Sequence, residues 1–170
     1  MFRKSYRLCR KYYLHLLRSK GSPHSIALGV GIGIFSGLVV PLGQIFLAII
    51  LAFVFKGNKI LAIAMTFITN PYTTPIIYPV LCYTGSKIIG GGLSFYQIKS
   101  AMEDVLLSFS WGELLVLGHI LIISYLIGGA VIGGFLGVIS YFVSLKIVIR
   151  HRNKRTKRLE LRKEELKKMG

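Results

Sequence analysis

Three stretches carry no Lys, Arg, Asp or Glu, and they decide what this chain can fold into: residues 26–55, 60–86 and 114–145, of 30, 27 and 32 residues. Each exceeds the ~20 apolar residues that a helix needs to cross a bilayer. The charge is crowded between and beyond them. Eighteen of the 22 Lys and Arg lie in residues 1–25 and 146–170, the whole chain has 6 acids, and the formal net charge is +16. Soluble nucleic-acid binders spread basic residues over a polar surface, whereas here they flank greasy blocks in a chain that is 53% hydrophobic and only 16% charged. The pattern predicts an all-α integral membrane protein and argues against nucleic acid as a partner.

Sidedness follows from the same distribution. Residues 1–25 hold seven basic residues and no acid, 146–170 hold eleven basic and three acidic, and Lys56 and Lys59 bracket a short loop. Lys and Arg gather on the cytoplasmic side, so both termini and that loop are expected there. Residues 87–113, with Glu103, Asp104 and Glu113 against Lys87 and Lys99, are expected on the far side. Two cytoplasmic termini need an even number of crossings. Blocks 60–86 and 114–145 supply two, so block 26–55 must begin and end on one side.

As one helix, block 26–55 would be about 45 Å long against a hydrocarbon core of ~30 Å. Pro41 and Gly43 divide it into two arms of about 14 residues, each too short to cross alone. This predicts a re-entrant helical hairpin, with two short tilted spans as the alternative. The second block is interrupted by Pro71, Pro75 and Pro79. Asn70 precedes a proline and is pushed out of the α region, so the helix is expected to break at Asn70-Pro71 and restart near Thr73 or Thr74. A half-helix N-terminus inside a membrane presents unpaired N–H groups and partial positive charge, a setting that suits an anion. Gln44, just past the Pro41 turn, can face it. Gln44, Asn70, Thr73 and Thr74 are therefore candidate ligand-binding residues, with Pro41, Gly43, Pro71 and Pro75 as the structural breaks. The competing reading is that these polar groups serve only the backbone that the prolines leave free.

Ser25, Gly29, Gly33 and Gly37 recur every four residues, and Gly129, Gly133 and Gly137 repeat the device in the last block. In lipid, close approach through small residues is a main source of helix association, so both stripes are expected to pack helices, on each other or across a homodimer. Residues 1–20 predict a basic amphipathic interfacial helix resting on anionic lipids of the cytoplasmic leaflet. Residues 94–109 predict a far-side amphipathic helix led by a Ser94/Gln97 capping-box pattern, with Ile98, Ala101, Met102, Val105 and Phe109 on one face and Trp111 at the interface. The expected organisation is that helix, a membrane domain over 21–148, and a basic cytoplasmic tail over 149–170.

Catalytic chemistry finds little footing. The apolar blocks hold no carboxylate pair for acid–base work. His15, His24, His119 and His151 are scattered without metal-ligand spacing. Cys9 and Cys82 form no disulfide framework, and Gly29, Gly31 and Gly33 do not meet the dinucleotide-binding spacing. No catalytic residue, metal ligand or cofactor is expected, and the long opening apolar run does not fit a cleaved signal peptide.

The run Ala27, Gly29, Gly33, Phe35, Gly37, Pro41, Gly43-Gln44, followed by Asn58 and by Asn70-Pro71, Thr73 and Pro75, resembles the bacterial membrane family catalogued as domain of unknown function 2062. Leu117-Gly118 before a glycine-rich span and a basic tail is similar too, and the likeness covers roughly residues 20–150. The resemblance implies a multi-pass inner-membrane protein and brings no activity, cofactor or catalytic residue with it. Some family members are joined to glycosyltransferase-like domains, which points to envelope glycan or lipid-linked chemistry. The molecular function is expected to be an unassigned one, read first as binding or translocating an anionic lipid-linked substrate through the broken helix, with a membrane scaffold or accessory partner of envelope glycan or lipid enzymes as the alternative.

Overall fold

The computed structural model describes residues 21–70, 72–90, 94–96, 98, 100 and 111–169; for 111–120, 163, 167 and 169 it describes the backbone. The expected helix over 1–20, Pro71, and the side chains of Trp111 and His119 lie outside the described residues. So does most of 94–109, although Ile98 N donates to the Ser94 carbonyl at 3.1 Å and Ile98 is buried. Among the described residues the chain is all-helical.

Helix α1 (Pro23–Val39) starts where Ser22, in extended backbone, accepts a hydrogen bond from Ser25 N at 3.1 Å. Pro23 sits in the first turn, where a missing N–H costs nothing. The helix stops because Val40 precedes Pro41 and adopts extended backbone. Gly43 then takes φ 77°, a left-handed conformation open to glycine, and reverses the chain into α2 (Gln44–Val54). The far end of α2 returns to the start of α1. Asn58 N donates to the Ser25 carbonyl at 2.8 Å and the Ser25 hydroxyl to the Lys56 carbonyl at 3.0 Å. The two helices form a hairpin that begins and ends at one level.

Asn58 also caps α3 (Lys59–Thr66), its Oδ1 accepting from Leu61 N at 3.1 Å. Helix α3 runs parallel to α1 at backbone contact. A Cβ on Gly29 would lie 2.5 Å from the Asn58 carbonyl oxygen, one on Gly37 would lie 2.9 Å from that of Thr66, and Gly33 faces Ala62 between them. After an irregular stretch come α4 (Thr74–Ile89) and α5 (Trp111–Met169). Helix α5 is antiparallel to both α1 and α4: Gly137 lies beside Gly31, Gly133 beside Phe35, Gly129 beside Leu38, and Gly128 beside Leu81.

The two small-residue stripes therefore do not face each other. Gly29, Gly33 and Gly37 turn toward α3, while Gly129, Gly133 and Gly137 meet the other side of α1 at Leu38, Phe35 and Gly31. Helix α1 is thin on two sides and sits between its neighbours. Pro79 lies inside α4, where it is buried and leaves the Pro75 carbonyl without its helical donor.

Helix α5 has 59 residues and is about 88 Å long. The boundary expected between 148 and 149 is no break in it. Val148 is buried with Ile26, Val30 and Leu61, and the Arg152 guanidinium donates to the Gly21 carbonyl at 2.5 Å. The helix parts from the body only beyond that point, because apolar and polar contacts to the start of α1 hold it until then. A second cluster joins Leu38, Leu81, Cys82, Ile98 and Tyr125 where α1, α4 and α5 meet.

Burial in α2 is inverted relative to a water-soluble helix. Ala48 and Ala52 face inward, while Phe46, Ile50 and Phe53 are 74%, 58% and 69% exposed. Among the described residues, α5 is long and apolar enough to cross a membrane, and α1 and α2 are apolar but shorter.

Candidate functional site

The polar residues of the hairpin tip and of the interrupted helix come together. Thr69 is the link. Its hydroxyl lies 2.8 Å from Gln44 Oε1, 3.1 Å from the Gly37 carbonyl and 3.2 Å from the Thr66 carbonyl. A hydroxyl has one hydrogen to donate, so one of the three takes it. Thr69 is 7% exposed, and a donor at that depth costs about 1–3 kcal/mol when left without an acceptor.

Asn70 organises the rest. Its Oδ1 accepts from Tyr72 N at 2.9 Å and Thr73 N at 3.1 Å, the side-chain turn typical of Asn at a helix start. Its carbonyl accepts from Thr73 N and Thr74 N, both at 2.9 Å, and from the Thr74 hydroxyl at 2.8 Å. Asn70 N donates to the Thr73 hydroxyl at 3.0 Å, which itself donates to the Ile68 carbonyl at 2.8 Å.

This closes the first turn of α4 upon itself. The N–H groups expected to stand open toward an anion are engaged: Tyr72 and Thr73 bond Asn70, Thr74 bonds its carbonyl, and Ile76 and Ile77 bond the Thr73 carbonyl at 3.1 and 2.9 Å. The physical reason is local. Asn one residue before a proline is held extended, and from there its short amide reaches the next two N–H groups. The start of α2 differs. Gly43 has no side chain with which to cap, so the partial positive charge of that first turn stays beside Gln44.

The structure thus groups Gln44 with Thr69, and Asn70 with Thr73 and Thr74. Thr69 escaped the sequence reading as a site residue, although a hydroxyl directly before Asn70-Pro71 is a signal that it belongs to the break. A second feature gave no signal. His24 Nδ1 lies 2.8 Å from the Tyr141 hydroxyl, with the rings edge-on, and together with Arg152 it ties the start of α1 to α5. Spacing along the chain cannot reveal a pair 117 residues apart. The hydroxyls of Ser36, Ser86 and Ser124 are buried without a hydrogen-bond partner among the described residues. Among those residues, no three His, Cys, Asp or Glu gather where they can hold a metal ion.

A helical body closed by glycine contacts, with a polar knot between two chain breaks, defines the class. A family model matches residues 6–157, and the chain belongs to that family, domain of unknown function 2062, described as an uncharacterized protein conserved in bacteria. No curated protein and no solved structure matches the chain significantly.

Proposed function

We propose that this chain is a multi-pass protein of the bacterial inner membrane, with both termini cytoplasmic and α1–α2 as a re-entrant hairpin, and that it is a non-enzymatic scaffold. Three features support the membrane reading. Large side chains point outward from α2 while alanines point inward, as lipid requires and water forbids. From Leu121 through Leu145, α5 runs about 38 Å without a charge, enough for the ~30 Å hydrocarbon core. The hairpin is shorter. Gly129 beside Leu38 and Gly85 beside Ser124 put Lys87 about 9 Å beyond the end of α1 at Val39, on the side of the hairpin tip.

The observation that carries the scaffold reading is backbone contact at the glycines of α1, α4 and α5, reinforced by a polar knot whose donors are used internally. Such an interior holds its shape and leaves its outer apolar faces for lipid and for partner helices. The expected partners are anionic lipids of the cytoplasmic leaflet, a second copy, or an envelope-glycan enzyme. The uncapped start of α2 beside Gln44 favours a second reading, in which an anionic lipid-linked substrate binds there.

Native mass spectrometry of the protein with its lipids retained tests both. A stoichiometric protein partner or second copy, unaffected by Gln44→Ala, supports the scaffold. One anionic amphiphile per chain, lost in Gln44→Ala and in Asn70→Ala, overturns it in favour of the second reading. The hairpin has its own test. Leu42, 85% exposed at the tip, changed to Cys in a chain lacking Cys9 and Cys82, should resist membrane-impermeant maleimide from either side. Labelling from outside would mean two short spans.

A further inference from the structure

Past Arg152, α5 leaves the body as a bare rod: residues 153–162, 164–166 and 168 are all exposed. The rod is not uniform around its axis. At about 100° per residue, Arg155, Leu159, Arg162 and Leu166 fall along one line, alternating at four- and three-residue steps. Leu159 and Leu166 are 51% and 62% exposed. The three acids Glu160, Glu164 and Glu165 lie about 100–160° away, interspersed with Lys154, Lys157 and Lys168. One side is therefore close to neutral, with Glu164 and Lys168 in the favourable i,i+4 order. The other side carries Leu159 and Leu166 between Arg155 and Arg162, with Glu165 at its edge, while Leu161, 50% exposed, lies on the near-neutral side.

We infer that this second side is a docking surface for an acidic amphipathic helix of a partner protein, one that alternates Leu and Glu at the same three- and four-residue steps. The inference rests on the reading that α5 crosses the membrane and ends in the cytoplasm. Its direction follows from continuity. Because α5 is one helix through Arg152, the rod carries on away from the bilayer, and Arg162 of the basic side stands about 15 Å beyond Arg152, nearly two Debye lengths of ~8 Å. Headgroup charge is largely screened at Arg162, so anionic lipid does not account for that end of the basic side, whereas Arg155, about 4.5 Å beyond Arg152, stands within its reach.

A second copy is disfavoured by charge. Two rods leaving the same face of one membrane run parallel, which would bring Arg155 against Arg155 and Arg162 against Arg162. Nucleic acid would use the cations but not the leucine line, and the glutamates would oppose it. An acidic helix satisfies both, with leucines packing on Leu159 and Leu166 and carboxylates meeting the two arginines.

The test uses the full chain in detergent micelles at 0.15 M salt and a labelled synthetic helical peptide alternating Leu and Glu. A scrambled peptide of identical composition, anionic vesicles and polyuridine RNA serve as competitors. The ordered peptide is expected to bind at least ~10-fold tighter than the scrambled one, about 1.4 kcal/mol. Arg155→Glu with Arg162→Glu should abolish binding, and a peptide carrying Lys in place of Glu should restore it. Leu159→Asn with Leu166→Asn should erase the preference for order. Lys157→Glu with Lys168→Glu, on the neutral side, should change affinity less than ~2-fold. Equal binding of the scrambled peptide, or binding of vesicles or RNA with the ordered peptide inert, overturns the inference. Failure of the membrane reading shows separately, as lack of maleimide labelling of Thr156→Cys in inverted vesicles.

Discussion

Two glycines six residues apart on α5 should respond to the same substitution with opposite sign. A Cβ on Gly128 would sit 3.0 Å from the Gly85 nitrogen and closer still to the Leu81 carbonyl oxygen, and both obstacles are backbone. Gly134 has nothing within 4 Å of its would-be Cβ. In both places alanine is the better helix former by about 1 kcal/mol. At Gly134 that gain stands alone, so Gly134→Ala should stabilise by up to about 1 kcal/mol. At Gly128 the methyl group forces α4 and α5 apart and loosens the packing of Leu38, Leu81, Cys82 and Tyr125. Overpacking of this kind costs about 1–3 kcal/mol, and because a carbonyl oxygen cannot move aside the upper end applies, for a net loss of about 2 kcal/mol. At about 2–4 °C per kcal/mol for a chain of this size, Gly128→Ala should melt about 4–8 °C lower. Gly134→Ala should melt a few degrees higher, as followed by loss of helical signal on heating in mild detergent. Equal shifts for the two variants would refute the idea that backbone contact, rather than helix propensity, dictates glycine here.

Thr69→Val should cost about 1–2 kcal/mol by removing the donor that joins the break to the hairpin tip, and Thr69→Ser should keep most of it. Asn70→Ala strips the acceptor from Tyr72 N and Thr73 N and should destabilise by about 1–2 kcal/mol, while Asn70→Asp keeps the acceptor but puts a carboxylate at membrane depth and should destabilise as well, both read from thermal unfolding. Ser124→Ala should be neutral or stabilise by up to about 1–3 kcal/mol, because a buried hydroxyl without an acceptor carries a penalty that alanine lacks. Arg152→Ala should free the start of α1, seen as faster hydrogen exchange at Ser25 and Ile26 with little change near Thr69.

Much of the helical layout can be read from residue types because its causes are local. Val40 before Pro41 and the positive φ of Gly43 end one helix and turn the chain, and Asn58 opens the next. Other features depend on which helix lies opposite, and periodicity names a face without naming its neighbour. The stripe at Gly29, Gly33 and Gly37 reads equally well as a partner for α5 or for a second copy; that it faces α3 follows from the short Lys56–Asn58 return beside Ser25. The first turn of α4 reads as an open anion site until the reach of one amide is traced, since Asn70 both breaks the helix and fills the donors that the break exposes. The continuity of α5 across residues 148 and 149 has a comparable cause. A change in charge marks where lipid should end, but helix propensity carries on through it, and Arg152 still grips Gly21.

The staple between Ser25 and Asn58 also bears on how the chain is made. The bonds that staple the base of the hairpin, from the Ser22 cap to Asn58 with Leu61, lie within residues 22–61. That segment can zip as soon as it emerges during synthesis, before α4 or α5 exists. Later helices then assemble upon a finished template whose small-residue grooves are already set at fixed spacing. A lesion at Ser25 or Asn58 should accordingly lower the yield of inserted protein more than the stability of the molecules that do mature.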